Sequence, residues 1–175
     1  MQRGINPKKA LIARVMDVSG ANWVLSRAYR RILGRNHIRC VNYHGTPAHA
    51  RDNLERHFAS FARAYCSVSS QELRGFLSTG EWHKGKPGLI VSFDDGLRDN
   101  YDVAVPALEK FGFVGWFFVP SAFPSCPIPE QREFVRRRGI HEASTYADGR
   151  YGMDWSELRA LDGRHVIGCH TRTHR

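Results

Sequence analysis

Two short stretches carry residues able to do chemistry together. The first is Asp94-Asp95-Gly96, which ends the apolar run Leu89-Ile90-Val91-Ser92-Phe93. Adjacent carboxylates repel each other, and a bound cation relieves them. The second is His170-Thr171-Arg172-Thr173-His174. Imidazoles four residues apart reach one ion when the segment makes a helical turn. One carboxylate and two imidazoles hold zinc or a similar ion with positions left open for water and substrate. The other carboxylate is then free to act as a base. Each stretch alone has a plainer reading: an Asp-Gly turn with solvated acids, and incidental histidines in a chain that has nine. The zinc-protease helix pattern does not apply, because it needs Glu directly after the first His and Thr171 stands there.

The elements around these stretches are expected to bring them together. Leu89 to Phe93 follows Pro87-Gly88 and reads as a buried strand. Ile38 to Tyr43, Val114 to Val119 and His165 to Cys169 read as three more. Between them, Leu54, Phe58, Phe61, Ala62 and Tyr65 mark an amphipathic helix. Ser69 with Glu72 has capping-box spacing and opens a short helix that Gly80 closes. Asp99 is placed to cap a helix running to Lys110, kinked by Pro106. Residues 120–150 read as a surface excursion with a short helix over Gln131 to Arg137 and solvated arginines at 136–138. Asp154 with Glu157 caps a last helix, Trp155 to Leu161. Alternating strands and helices signify a parallel α/β sheet or barrel. Its strand C-termini share one rim, so Asp94, Asp95, His170 and His174 should lie together. His44 ends the first strand at the same rim, where it could touch substrate, support a ligand or serve as a hydrogen-bonded structural residue. Cys169 reads as a small core residue.

The 175 residues suit one ordinary domain, and the net charge is +9. The excess is N-terminal: residues 1–39 hold nine Lys and Arg against one acid, Asp17. The rest is close to neutral, which speaks against nucleic acid as a partner. Residues 1–36 read as a basic amphipathic helical extension, and 37–175 as the main domain. The helices over residues 8–35 suit packing on that domain, and they also admit peripheral contact with an anionic membrane. Met1 to Lys9 lacks a secretory-signal pattern, and no run approaches membrane-spanning length. The four cysteines are scattered without a Cys-x-x-Cys pair, which fits a reducing compartment. The expected location is therefore cytoplasmic, or peripheral on the inner membrane face.

Ser92-Phe93-Asp94-Asp95-Gly96, followed by His170-Thr171-Arg172-Thr173-His174, resembles the paired motifs of NodB-homology polysaccharide deacetylases, carbohydrate esterase family four. Tyr43-His44, Trp116-Phe117-Phe118-Val119 and the Trp155 to Leu161 segment are similar too, so the likeness runs from about Ile38 to the end. It implies a distorted (β/α) barrel, incomplete here, and a metal-dependent hydrolase removing acetyl groups, usually N-acetyl, from a carbohydrate polymer or glycan precursor. By the resemblance, Asp94 is the base, Asp95, His170 and His174 hold a divalent metal, and Thr171 steadies the His loop. Zinc is the expected metal, with cobalt, manganese or nickel also compatible with Asp and His ligands.

The sequence departs from the family in two ways. Ser92 stands for the usual Thr, and the later motifs, an Arg that orients the base and a Leu-x-Leu-His that supplies the acid, are not found. This implies a truncated reading that holds metal and base but deacetylates poorly. Two other readings stay open: a basic membrane-surface-binding protein or inactive fragment without catalysis, and a two-His, one-carboxylate iron oxygenase.

Overall fold

The computed structural model describes residues 34–140, 144 and 146–175, with positions 11, 15, 24, 28, 31 and 32. The expected extension, residues 1–36, lies largely outside the described residues, as does the proposed membrane-contacting segment 8–35. Among the described residues no helix is long and apolar enough to cross a membrane.

Among the described residues every strand pairing is parallel. β1 (Ile38–Tyr43) runs beside β3 (Gly88–Phe93) in register Ile38↔Gly88 through Tyr43↔Phe93. β3 then pairs with β4 (Gly115–Val119), and β4 with β5 (Val166–Cys169), giving the order β1-β3-β4-β5. A two-residue strand that the sequence pattern does not reveal, β2 (Cys66–Ser67), lies along the start of β3. The α/β class expected from the sequence is thus observed. Among the described residues the sheet is open, with β1 and β5 at its edges.

β3 is buried at every position, as its unbroken apolar run requires. Its alternate side chains serve two cores. Leu89, Val91 and Phe93 join Leu54, Phe58, Leu108, Phe117 and Leu161 under the helices, while Ile90 packs with Val68, Trp82 and Trp116 on the other face. Burying each such side chain contributes about 1.5–3 kcal/mol. Phe93 and Phe117 stack at 5.0 Å between ring centroids, tying the strand that ends in Asp94 to its neighbour.

Helix α1 (Arg51–Ala64) buries Leu54 and Phe58, one turn apart. α2 (Ser70–Thr79) has the Ser69/Glu72 capping box and a left-handed Gly80, as its sequence signals require. The helix expected from Asp99 to Lys110 divides into a π-turn, Asn100–Ala104, and α3 (Val105–Lys110). Pro106 lacks an N–H and crowds the preceding turn, and the backbone widens there, Val105 N–H reaching Asn100 O. Asp99 itself is helical and does not cap; its Oδ2 accepts from Ser144 Oγ at 2.8 Å.

The excursion after β4 is more than surface loop. Its helix α4 (Ile128–Arg138) begins earlier than expected, because Pro127 and Pro129 sit where missing N–H groups cost nothing. Leu97, Phe123, Val135, Ile140 and Tyr151 form a small core of its own, with Phe123 and Phe134 stacked at 4.8 Å. Gln131 Oε1 accepts from the N–H groups of Tyr151 and Gly152, at 2.7 and 3.0 Å. Arg136 and Arg137 are exposed and bonded to Glu133. α5 (Trp155–Leu161) carries the Asp154/Glu157 capping box and leads into β5.

Candidate metal centre

The turn after β3 is set by its neighbours on both sides. Asp94 N–H donates to Tyr43 O at 3.0 Å, extending the β1 ladder by one rung. Asp95 (φ 74°) and Gly96 (φ 65°) then reverse the chain through two left-handed positions. Gly96 is obligatory twice over: its φ favours glycine, and a Cβ there would lie 2.6 Å from Val119 Cγ1. Downstream, Met153 N–H donates to Gly96 O (2.9 Å) and Arg98 N–H to Tyr151 O (2.8 Å), so the turn is held against the excursion. The result drives Asp95 inward, where it is 1% exposed.

The turn after β5 is held as firmly. His170 N–H donates to Val119 O (2.9 Å), and the loop after β4 donates through Ser121 N–H to Thr171 O (3.1 Å) and Ala122 N–H to Arg172 O (2.9 Å). Thr171 Oγ1 accepts from Arg175 N–H at 3.2 Å, closing the turn. The segment is not the helical turn expected: Thr171 (φ 61°) and His174 (φ 57°) are left-handed. Among the described residues, the non-glycine positions with positive φ are Asp95, Thr171 and His174. Such positions cost about 1–3 kcal/mol each and persist where surroundings over-determine them, typically at functional sites.

These two turns bring three ligand atoms within 4.8 Å of one another, one each from Asp95, His170 and His174. His174 Nε2 lies 3.1 Å and His170 Nε2 3.8 Å from Asp95 Oδ1. Ligands about 2.1 Å from a tetrahedral zinc stand about 3.4 Å apart, and the two distances bracket that value. His174 Nδ1 is 2.8 Å from the carbonyl of Arg138, at the end of α4. A carbonyl only accepts, so Nδ1 carries a proton and the Nε2 of a neutral His174 turns its lone pair toward the carboxylate. Two lone pairs 3.1 Å apart need a cation or a proton between them. Asp95 Oδ1 is buried with no hydrogen-bond partner, a costly state that a bound ion relieves. The residues therefore fit a divalent metal, with the Arg138 carbonyl as the outer partner that orients His174.

The other predicted site residues fall around this group. Asp94 is half-buried and next in the chain to Asp95, outside the three-ligand cluster. His44 is exposed at the end of β1 and also stands outside it. Thr171 ties the His turn through both its carbonyl and its hydroxyl. Cys169 is exposed rather than a core residue, because β5 is an edge strand. Sequence reasoning missed the Arg138 carbonyl, since no side-chain type marks a backbone acceptor.

No protein-family profile and no curated protein sequence matches the chain. Solved structures do. A deacetylase of Streptococcus pyogenes, PplD, solved with acetate, aligns at a TM-score of 0.53 and 16% identity over 77% of this chain and 55% of that one. A de-N-acetylase from Aggregatibacter actinomycetemcomitans gives 0.57 and 19%, over 77% of this chain and 55% of its own. The chain has the fold of the NodB-type deacetylases. The deacetylase domain of BpsB from Bordetella bronchiseptica aligns at 0.54 and 15%, covering 79% of this chain and 55% of that one. The chain thus spans about half the length of the deacetylase structures it matches.

Proposed function

We propose that this chain carries the metal-and-base half of a divalent-metal-dependent hydrolase that removes acetyl groups, N-acetyl above all, from a carbohydrate polymer or glycan precursor. The observation that carries the reading is the trio Asp95, His170 and His174, with an unpartnered buried carboxylate oxygen, in the deacetylase fold and beside a second carboxylate, Asp94. Asp95 Oδ1 and the two Nε2 atoms would hold the ion, with zinc the first choice for two imidazoles and one carboxylate. When bound there, the ion supplies Lewis acidity, polarising an acetyl carbonyl and acidifying water. Asp94 accepts the proton of the attacking water, a role its partial exposure at the rim suits. The Arg138 carbonyl keeps His174 in the Nδ1–H tautomer, which leaves Nε2 for the ion. The all-parallel sheet differs from the all-β scaffold on which the iron alternative rests.

The decisive experiment loads the chain with zinc and measures acetate released from N-acetylglucosamine oligomers. Asp94→Asn is expected to lower that rate by about 10²- to 10⁴-fold while zinc affinity is unchanged. Full activity in Asp94→Asn, or no zinc binding by the parent chain, overturns the reading.

A further inference from the structure

Among the described residues β5 is held in the sheet by one neighbour, β4, and their pairing begins at Trp116↔Val166. Just before that rung stands His165, whose ring closes the end of the pairing. Gly115 N–H donates to His165 Nδ1 at 3.0 Å, and the ring lies edge-on to Phe117 with centroids 5.6 Å apart. His165 N–H donates in turn to Leu161 O at 2.9 Å, so one residue joins α5, β5 and β4. We propose that His165 is an acid-sensitive latch: a proton on Nδ1 breaks the bond from Gly115 and frees the start of the strand that carries His170 and His174.

The hydrogen bond fixes the state of the ring. A backbone N–H only donates, so Nδ1 keeps its lone pair and the proton of the neutral ring sits on Nε2. An imidazolium carries protons on both nitrogens, and its Nδ1–H would then face another donor. Neither group has space to turn away. The His165 side chain is 2% exposed, and a Cβ on Gly115 would lie 2.6 Å from Leu108 Cδ1. Breaking the bond also strands a buried donor, which costs more than the bond itself contributes.

The surroundings give a charged ring little compensation. Glu109 of α3 is the anion that faces it, with Oε1 3.7 Å from Nε2, and Nε2 is buried with no hydrogen-bond partner. That carboxylate is already paired with Arg164, the residue before His165. Lys110, next along α3, is paired with Glu55. Asp162 bridges to His165 through the backbone, while its carboxylate accepts from Gly163 N–H. Gly115, Phe117 and Leu161 carry no charge. Burial accordingly pushes the imidazole below its ordinary value; Glu109 offsets part of this, and Arg164 adds to it. Because the folded value is depressed, the stabilising share of the neutral ring is fully present above the ordinary 6.5. It is lost as pH falls through the folded value.

The test compares the parent chain with His165→Asn, whose Oδ1 can accept from Gly115 N–H but does not titrate. Amide hydrogen exchange, corrected for the intrinsic effect of pH, reads the opening of β5 (Val166–Cys169) at about pH 7.5 and about pH 5. Relative to the variant, opening of β5 in the parent should rise by about 5- to 30-fold on acidification. The upper figure is the limit for an imidazole that recovers a value of 6.5 when freed. His170 and His174 are present in both proteins, so their own titration cancels, and the amides of β3 should not follow the change. An equal rise in parent and variant overturns the proposal, as does a rise shared equally by β3. Should the variant fail to fold, proton NMR of the parent decides. A His165 ring titrating below 6.5, in step with β5 opening, upholds the latch, and one titrating at or above 6.5 overturns it.

Discussion

Asp95 and Asp99 lie one helical turn apart in sequence and share an unusual state. Each residue is 1% exposed, and each has an Oδ1 with no hydrogen-bond partner. Their surroundings then diverge. Asp95 faces two imidazole nitrogens held by turns from β5. Asp99 faces a hydroxyl, with Ser144 Oγ donating to Oδ2, while its own carbonyl accepts from Thr46 Oγ1 at 3.0 Å. Burial pushes the Asp99 carboxyl above the usual carboxylate range; hydrogen bonds from Thr46 and Ser144 offset part of this, and the Asp102 charge adds to it. A buried acid must either gain a cation or tend to keep its proton. The pair shows that burial alone does not mark a candidate metal ligand. What distinguishes Asp95 is a set of lone pairs aimed at the same point.

This contrast can be broken from the Asp95 side first. Asp95→Ala should weaken zinc binding by more than the about 10–100-fold typical of losing an outer partner, as read by competition with a chelator. The parent chain at free zinc a hundred times its Kd should gain about 2.7 kcal/mol in denaturant unfolding, and Asp95→Ala should lose that gain while Asp99→Asn keeps it. Equal zinc stabilisation in all three proteins would remove the distinction. A smaller effect is expected at the outer partner. Gly139 caps α4 at φ 64°, so Gly139→Val strains the cap that presents the Arg138 carbonyl to His174. Zinc affinity should fall about tenfold with the fold retained. The smallest effect separates the two acids by pH. Because the folded pKa of Asp99 is raised, its stabilising share is fully present below the unfolded value, about pH 3.9, and is lost as pH rises through the folded value. The stability difference between Asp99→Asn and the parent should therefore move in favour of the variant between pH 4 and pH 7; a constant difference would contradict the raised pKa.

Much of the site was legible because its signals are local. The apolar run into Asp94-Asp95-Gly96 and the His170/His174 spacing needed only parallel strands to meet. Both capping boxes follow from residues three apart. What was not legible depends on distant or anonymous partners. Asp99 looked like a helix cap, yet its side chain is claimed by Ser144, 45 residues on. The Arg138 carbonyl that orients His174 is backbone, so residue identity carries no trace of it. The left-handed turns at Asp95, Thr171 and His174 are imposed by the hydrogen bonds around them, and only Gly96 announces one. Cys169 is exposed on β5, which among the described residues is an edge strand, a fact of sheet order that no local pattern encodes.

Val119 touches both turns of the candidate site. Its carbonyl accepts from His170 N–H, and its side chain occupies the space that a Cβ on Gly96 would need. A single residue of β4 thus fixes the turns of both Asp95 and His170, one through its bulk and one through its backbone. Positions 96 and 119 should accordingly change as a couple: Gly96→Ala costs less once Val119→Ala has made room, so the double variant is more stable than the sum of the single losses predicts. The φ penalty at 96 remains after the clash is gone, so the rescue is partial. Among related sequences, a side chain at 96 should travel with a smaller one at 119.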